Sequence, residues 1–305
     1  MQFSITLPSI NSVVVSDVKL FFIENLSYNQ LYCIEILKKF GLLAMDPICC
    51  NESMSLLRKN QLSDGYVNFC TSCKKQKSIR SGSFFQRSHL KLWEILKIIY
   101  LYSHDVSSQS FIYKEIGISS RTIVDWKSFV RDVYVNHLLE HSNKVGGDGK
   151  VVQIDESLIC KRKYNVGRIL SNQDQWIVGG IDESGNVFME LTTIRNEPTL
   201  TDIILRWVER GSIIWTDCWK GYRRLDHNGY LHMVVNHSEN FVSMDGVHTN
   251  RIEATWGACK RKHSHIRNKK PNLIPGYLAE YIFKKKFKEN IFEETIKAIN
   301  CIYKF

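Results

Sequence analysis

No apolar run in this 305-residue chain reaches the roughly 18 residues that a membrane-spanning helix needs, so no transmembrane segment is expected. The opening stretch, MQFSITLPSINSVVVSDVKLFF, lacks a basic start followed by an apolar block, and no secretory signal is expected from it. Internal repeats and low-complexity blocks are also missing, which excludes repeat arrays and compositionally biased linkers as the basis of the fold. Hydrophobic residues make up 44% and charged residues 24%, so a packed core is within reach and disorder is not the default. The length allows two domains, or one large domain with appendages.

One local absence is informative. Between Lys74 and Lys91 there is no Asp or Glu, while Lys74, Lys75, Lys77, Arg80, Arg87 and Lys91 are all present. A second imbalance closes the chain. From Thr255 to Phe305 there are twelve Lys or Arg against four Asp or Glu, which is +8 of the net +10. Asymmetry of this kind points to a polyanionic partner such as nucleic acid; the plainer reading is a solvated basic face.

Of the nine cysteines, Cys49, Cys50, Cys70 and Cys73 crowd together, and Cys33, Cys160, Cys218, Cys259 and Cys301 are scattered. With no signal peptide expected, the crowded set suggests a metal site rather than a disulfide framework, and the scattered set suggests ordinary buried thiols.

Hydrophobic periodicity divides the chain. An amphipathic helix is expected over 27–40, and a turn-rich segment over 46–73. A helical stretch is expected after residue 84, with Leu90, Trp93, Leu96, Ile98 and Ile99 near the helical period. In SSQSFIYKEIGISSRTIVDWKSFVRDVYVNHL, a short helix, a turn at Gly117 and a cap at Ser119/Ser120 precede a longer helix. That outline fits helix-turn-helix, although any pair of antiparallel helices would give it. Residues 141–150, HSNKVGGDGK, read as a Gly-rich linker. Beyond them come strands in KVVQIDESLI, QWIVGGIDES and VFMELTTI, a helix in TLTDIILRWVER, a strand in SIIWTD, a helical segment, a strand in LHMVVNHS, and a helix in NRIEATWGACKRKH. Three successive strands followed by alternating helices and strands indicate an α/β fold with a mixed sheet, in the order of ribonuclease H-like domains.

Within that pattern, Asp155 ends the apolar run VVQI and Asp217 ends SIIWT. If the two strands are neighbours, their carboxylates converge. Glu253 lies in the first turn of a later helix. Breaking or transferring a phosphodiester needs an activated water or hydroxyl and neutralisation of phosphate charge. Two Mg²⁺ ions held by carboxylates supply both. Each acid alone has a structural reading: a solvated strand end for Asp155, a cap for Asp217, and a capping box Asn250-x-x-Glu253. Together they form a constellation. Glu156 is discounted because strand alternation sends it to the opposite face, and Asp182 because Asp182-Glu183-Ser184-Gly185 reads as a turn.

The surroundings IDES, WTDCWKGY and VHTNRIEATWGACKR resemble the three catalytic blocks of Merlin-type DDE transposases and their bacterial insertion-sequence relatives. DGYVNFCTSCKKQKSIRSGSFFQRSHLKLWEILKIIYLY resembles the zinc ribbon and following helix of that group, and LIPGYLAEYIFKKKF its closing helix. The resemblance covers about residues 40–290. It implies a ribonuclease H-like catalytic core that uses Mg²⁺ or Mn²⁺, with Asp155, Asp217 and Glu253 as metal ligands and His248 and Asn250 as candidates to line the site. It also implies double-stranded DNA as partner (transposon ends and target), a homo-oligomer on paired ends, and a nuclear location in a eukaryote or a cytoplasmic one otherwise.

Zn²⁺ would be held by Cys49, Cys70, Cys73 and either Asp46 or Cys50. The family pattern Cys-Pro-x-Cys here reads Asp46-Pro47-Ile48-Cys49, and structural zinc sites rarely use aspartate. A packed, metal-free thiol cluster is the alternative. The expected organisation is a helical segment of unassigned role (1–45), a zinc-ribbon-like region (46–80), a helix-turn-helix-like DNA-binding region (84–140), the catalytic domain (148–290) and a tail (291–305). Lys74, Lys75, Arg80, Lys260, Arg261 and Lys262 are expected to contact phosphates. Two other readings share part of this pattern: a transposon-derived DNA-binding protein that no longer cuts, and a nuclease acting on RNA hybrids.

Overall fold

A computed structural model describes residues 7–106, 108–160, 175–218, 220–235, 247–263 and 271–305. The chain forms two compact units, Met1–His137 with Phe287–Phe305, and Leu138–Lys286.

In the first unit, helix α1 (Leu20–Asn25) is followed by α2 (Gln30–Lys39). The side chain of Asn29 caps α2 by accepting from the Tyr32 N–H at 3.0 Å. Two small sheets come next: a hairpin of β1 (Ile48–Cys49) and β2 (Glu52–Ser53), and an antiparallel sheet of β3 (Ser55–Arg58), β4 (Tyr66–Phe69) and β5 (Gln76–Lys77). Helix α3 (Leu92–Ser103) is buried over most of its length, which matches its nearly continuous apolar sequence. Helix α4 (Gln109–Ile116) starts at a Ser108 cap and stops at Gly117, whose φ of +77° is the left-handed conformation that glycine adopts without strain. Ser119 then accepts from the Thr122 N–H, and α5 (Ser120–His141) begins.

Residues 291–305, expected as a tail, instead carry a C-terminal helix, Ile291–Ile302, built into this unit. Its Phe292 ring lies 5.1 Å from that of Tyr100. The Thr295 hydroxyl joins Ser103 and Tyr134 in a buried hydrogen-bonded group. Its apolar face repeats at helical spacing (Ile291, Ile296 and Ile299), so the segment buries too much to remain a tail.

The second unit is a five-stranded mixed sheet. Its strands are β6 (Val151–Cys160), β7 (Gln175–Asp182), β8 (Val187–Thr192), β9 (Ile213–Asp217) and β10 (Leu231–Val235), in the order β10-β9-β6-β7-β8. β6, β7 and β8 are antiparallel, whereas β9 and β10 run parallel to β6. Helix α6 (Glu197–Trp207) makes the crossover from β8 to β9. This mixed α/β arrangement is consistent with a ribonuclease H-like core. Strand alternation divides the sheet between two apolar clusters. Val152, Ile154 and Val178 join Leu200, Ile204 and Tyr222, while Ile177, Ile181 and Met189 join Ile252 and Trp256 of α7 (Asn250–Lys262) and Leu278 of α8 (Ile274–Lys286). The helical segment expected after β9 consists of two short 3-10 turns, Lys220–Tyr222 and Asp226–Asn228.

The Gly-rich segment 141–150 differs from the linker expected. Val145 is buried and bridges Val208. The Gly146 N–H donates to Asp182 and the Gly147 N–H to Ser212. Gly146 serves close approach, since a Cβ there would come within 2.4 Å of the Ser212 hydroxyl.

Candidate active site and cysteine cluster

The parallel ladder pairs Val151 with Ile213 and Gln153 with Trp215. Continuing that register by two residues sets Asp155 level with Asp217 on the neighbouring strand. Asp155 does not end its strand as expected. β6 continues to Cys160 along β7, with Asp155 opposite Gly179, while its ladder with β9 stops at Gln153. The carboxylate therefore stands where one side of β6 has lost its partner. Asp217 is the last residue of β9.

The third acid arrives with α7. Gln153 lies on the same face of β6 as Asp155. Its buried side-chain oxygen accepts from the N–H groups of Arg251 (2.9 Å) and Ile252 (3.3 Å), which satisfies two donors that a helix start leaves open. With that oxygen fixed, the amide nitrogen donates to His248 Nδ1 at 3.2 Å. The His248 ring also packs edge-on against Trp215 at 5.3 Å. Glu253 occupies the first turn of α7, where the helix dipole favours a negative charge, and the Thr249 hydroxyl donates to it at 2.9 Å. The capping box that was the plainer reading of Glu253 is not formed: Thr249 is the N-cap, and Asn250 is an exposed first helical residue.

Three residues further on, the Trp256 indole N–H donates to Asp155 Oδ2 at 3.0 Å. The ring crosses Gly179, where a Cβ would lie 2.6 Å from its Cη2 atom. Asp155 is pushed up to about 6, chiefly by burial and to a smaller extent by the charges of Asp217 and Glu253, against the lowering hydrogen bonds of the Glu156 backbone N–H and the Trp256 indole. The charges of Asp217 and Glu253 thus reach Asp155, although among the described residues only the four thiols of the first unit gather into a ready-made set of metal ligands. The donors fit a hard divalent cation, since three carboxylates supply oxygen ligands and such an ion would relieve the repulsion among them. Glu156 faces the α6 side as anticipated. Burial pushes it up to about 7, with the buried Tyr222 hydroxyl beside it acting in the opposite direction. Asp182 is structural, accepting from Gly146 and from the backbone and side chain of Asn186.

In the first unit, the Sγ atoms of Cys49, Cys50, Cys70 and Cys73 lie within 4.8 Å of one another. Cys50, rather than Asp46, completes the set. The β1–β2 hairpin turns through Cys50 (φ +52°) and Asn51 (φ +61°), and two successive left-handed residues are what a tight two-residue hairpin demands. The Cys49–Cys73 and Cys49–Cys50 sulfur separations are 3.6 and 3.9 Å. Tetrahedral thiolate zinc needs about 3.8 Å, so the donor set fits Zn²⁺. Cys73 is lowered to about 7, chiefly by the Lys75 backbone N–H, which favours the thiolate that binds metal.

The expected phosphate contacts divide. Lys74 and Lys75 are exposed. Arg80 is not available: it is 4% exposed, its guanidinium pairs with Asp64, and it also donates to the Ser88 and Leu90 carbonyls. A buried ion pair with full hydrogen bonding is a structural element, so Arg80 leaves the set of DNA contacts. Lys260, Arg261 and Lys262 occupy the last turn of α7. They lie about 10–14 Å along the helix from Glu253, two turns or more. Gln153, Gly179 and Trp256 were not anticipated. A polar residue in an apolar run, two positions before an aspartate, is the signal that could have marked Gln153.

Residues 140–290 match the family model of the ISXO2-like transposase domain. No curated protein matches the chain. The matched range contains the whole mixed sheet and all three carboxylates. The chain therefore carries a DDE transposase domain, of a polynucleotidyl transferase family, and no helix among the described residues is long and apolar enough to cross a membrane.

Proposed function

We propose that this chain is a DNA transposase that cuts at the ends of a mobile element and joins the freed 3′-hydroxyl to target DNA, with Asp155, Asp217 and Glu253 as its divalent-metal ligands. What supports this reading is the parallel register, which continued from Gln153 and Trp215 sets Asp155 level with Asp217, together with a helix start that is held by Gln153 and carries Glu253. Mg²⁺ or Mn²⁺, when bound there, would activate water and neutralise charge on the scissile phosphate.

The protein's own groups do the rest. Gln153 and Thr249 fix the start of α7 and hence Glu253. The sheet fixes Asp155 against Asp217. Lys74, Lys75 and the Lys260–Lys262 turn meet duplex phosphates, which sets affinity rather than sequence preference. Helices α4 and α5, with their tight turn at Gly117, are the candidates for reading sequence. The four thiols hold Zn²⁺ and brace the short hairpins. His248 is better explained as a latch on Gln153 than as a group facing the substrate.

Merlin-type affiliation within the DDE transposases, and action as a homo-oligomer on paired ends, belong to this proposal. The alternative of a DNA-binding protein that no longer cuts drew its support from Asp46, and Cys50 removes that support. The test is a cleavage assay on candidate element ends, with and without Mg²⁺. Metal-dependent nicking lost in Asp155→Asn supports the assignment, and nicking that survives the substitution sinks it.

A further inference from the structure

Trp256 is 5% exposed, and a buried indole N–H needs an acceptor. The acceptor it has is Asp155 Oδ2, at 3.0 Å. The ring reaches that oxygen through a slot made by a missing side chain. Gly179 stands directly opposite Asp155 in the β6–β7 ladder, and a Cβ there would lie 2.6 Å from the indole and 2.8 Å from the Phe188 carbonyl oxygen. No residue larger than glycine fits without moving the ring or the β8 backbone. At the start of the same helix, Gln153 holds the Arg251 and Ile252 N–H groups. Gln153 and Asp155, two residues apart on one strand face, thus grip α7 on both sides of Glu253.

Resting on the reading of the three acids as metal ligands, we propose that Trp256 is a positioning residue for Asp155: its N–H fixes Oδ2 and with it the orientation of the carboxylate toward a divalent cation of the Mg²⁺ class, and glycine at 179 admits the ring. The chemistry of the donor supports this. An ammonium or guanidinium at the same place would orient the carboxylate equally well, but it would neutralise the anion and compete with the cation. A neutral N–H fixes the carboxylate's orientation and leaves its charge available. Groups that orient metal ligands in this way typically change metal affinity 10- to 100-fold when removed.

The competing view is that Trp256 only fills the apolar cluster and merely finds an acceptor there. Direct Mn²⁺ binding to the full chain, measured by calorimetry without DNA, separates the two. Trp256→Phe keeps an aromatic ring and loses the donor, and the inference predicts Mn²⁺ affinity lower by about 10-fold or more. Leu278→Ala, in the same apolar cluster, should lower the melting temperature while leaving Mn²⁺ affinity within about twofold. Asp155→Asn should lose the site. Should Trp256→Phe not fold, Trp256→Leu, which also lacks a donor, carries the same prediction. Wild-type affinity in the Trp256 variant, with loss in Asp155→Asn, overturns the inference and spares the functional reading. Mn²⁺ binding that is absent from the wild type, or indifferent to Asp155→Asn, overturns both.

Discussion

The two candidate metal centres of this chain are built in opposite ways. The thiol cluster is assembled locally, from two short turns separated by about twenty residues, with Cys50 and Cys73 exposed to solvent. Its ligands are soft, and the hairpins that carry them are only two to four residues long. The carboxylate cluster is assembled globally. Its members come from a strand, a neighbouring parallel strand and a helix about a hundred residues away, carried by a sheet packed between two apolar clusters. Removing the metal should therefore have different consequences. A small, ribbon-like region depends on its ion for folding, whereas a site cut into a packed sheet persists without one and loses only its chemistry.

The sharpest way to break this contrast is to remove one ligand on each side. Asp155→Asn should abolish cleavage while the melting transition and DNA binding are retained, as checked by nicking assay, calorimetry and mobility shift. Cys73→Ser and Cys50→Ser should release zinc and loosen the first unit, whereas Asp46→Ala should leave the zinc content unchanged by elemental analysis. Zinc loss on changing Asp46 would return that residue to the ligand set.

Next in size is Arg80→Ala. Breaking a buried pair leaves Asp64 uncompensated and should cost about 3–5 kcal/mol, read as a lower denaturation midpoint of the first unit. A surface phosphate contact would instead leave stability unchanged and weaken DNA binding. Smaller again, Gln153→Leu should cost about 1–3 kcal/mol by leaving two helix N–H groups without their acceptor. It should also reduce cleavage, because Glu253 moves with the helix start. The smallest effect is electrostatic. Changing Lys260, Arg261 and Lys262 to Ala should flatten the slope of log affinity against log salt by about two to three units, since each duplex phosphate contact contributes roughly 0.9. An unchanged slope would show that this turn faces away from DNA.

What was legible in the sequence follows the same division. Strand periodicity gave β6 to β9 to within a few residues, and the acids at or near their ends pointed to one another because parallel register is regular. Asp155 still carried a surprise, because where a strand stops pairing on one side depends on its neighbour and not on its own residues. Arg80 was misread because a run of positive charge does not show which member is buried. Its partner Asp64 lies outside the run, and the fold alone brings them together. Cys50 depended on a hairpin turn through two left-handed residues, which the local sequence Cys49-Cys50-Asn51 does not announce in the way Asn-Gly would. The segment 141–150 looked like a linker because glycine serves both freedom and close approach. Trp256 and Gly179 were out of reach because their meaning lies in a contact with Asp155, which is formed only when α7 packs on the sheet.

The central claim is the proposal that Asp155, Asp217 and Glu253 together form the site that holds the divalent cations. A crystal of the protein grown with Mn²⁺ and measured at the manganese absorption edge tests it most directly. The account predicts an anomalous peak in contact with the carboxylates of both Asp155 and Asp217, with Glu253 beside it. A well-ordered sheet in which Asp155 and Asp217 diverge, or in which Mn²⁺ binds elsewhere and leaves them bare, would contradict it.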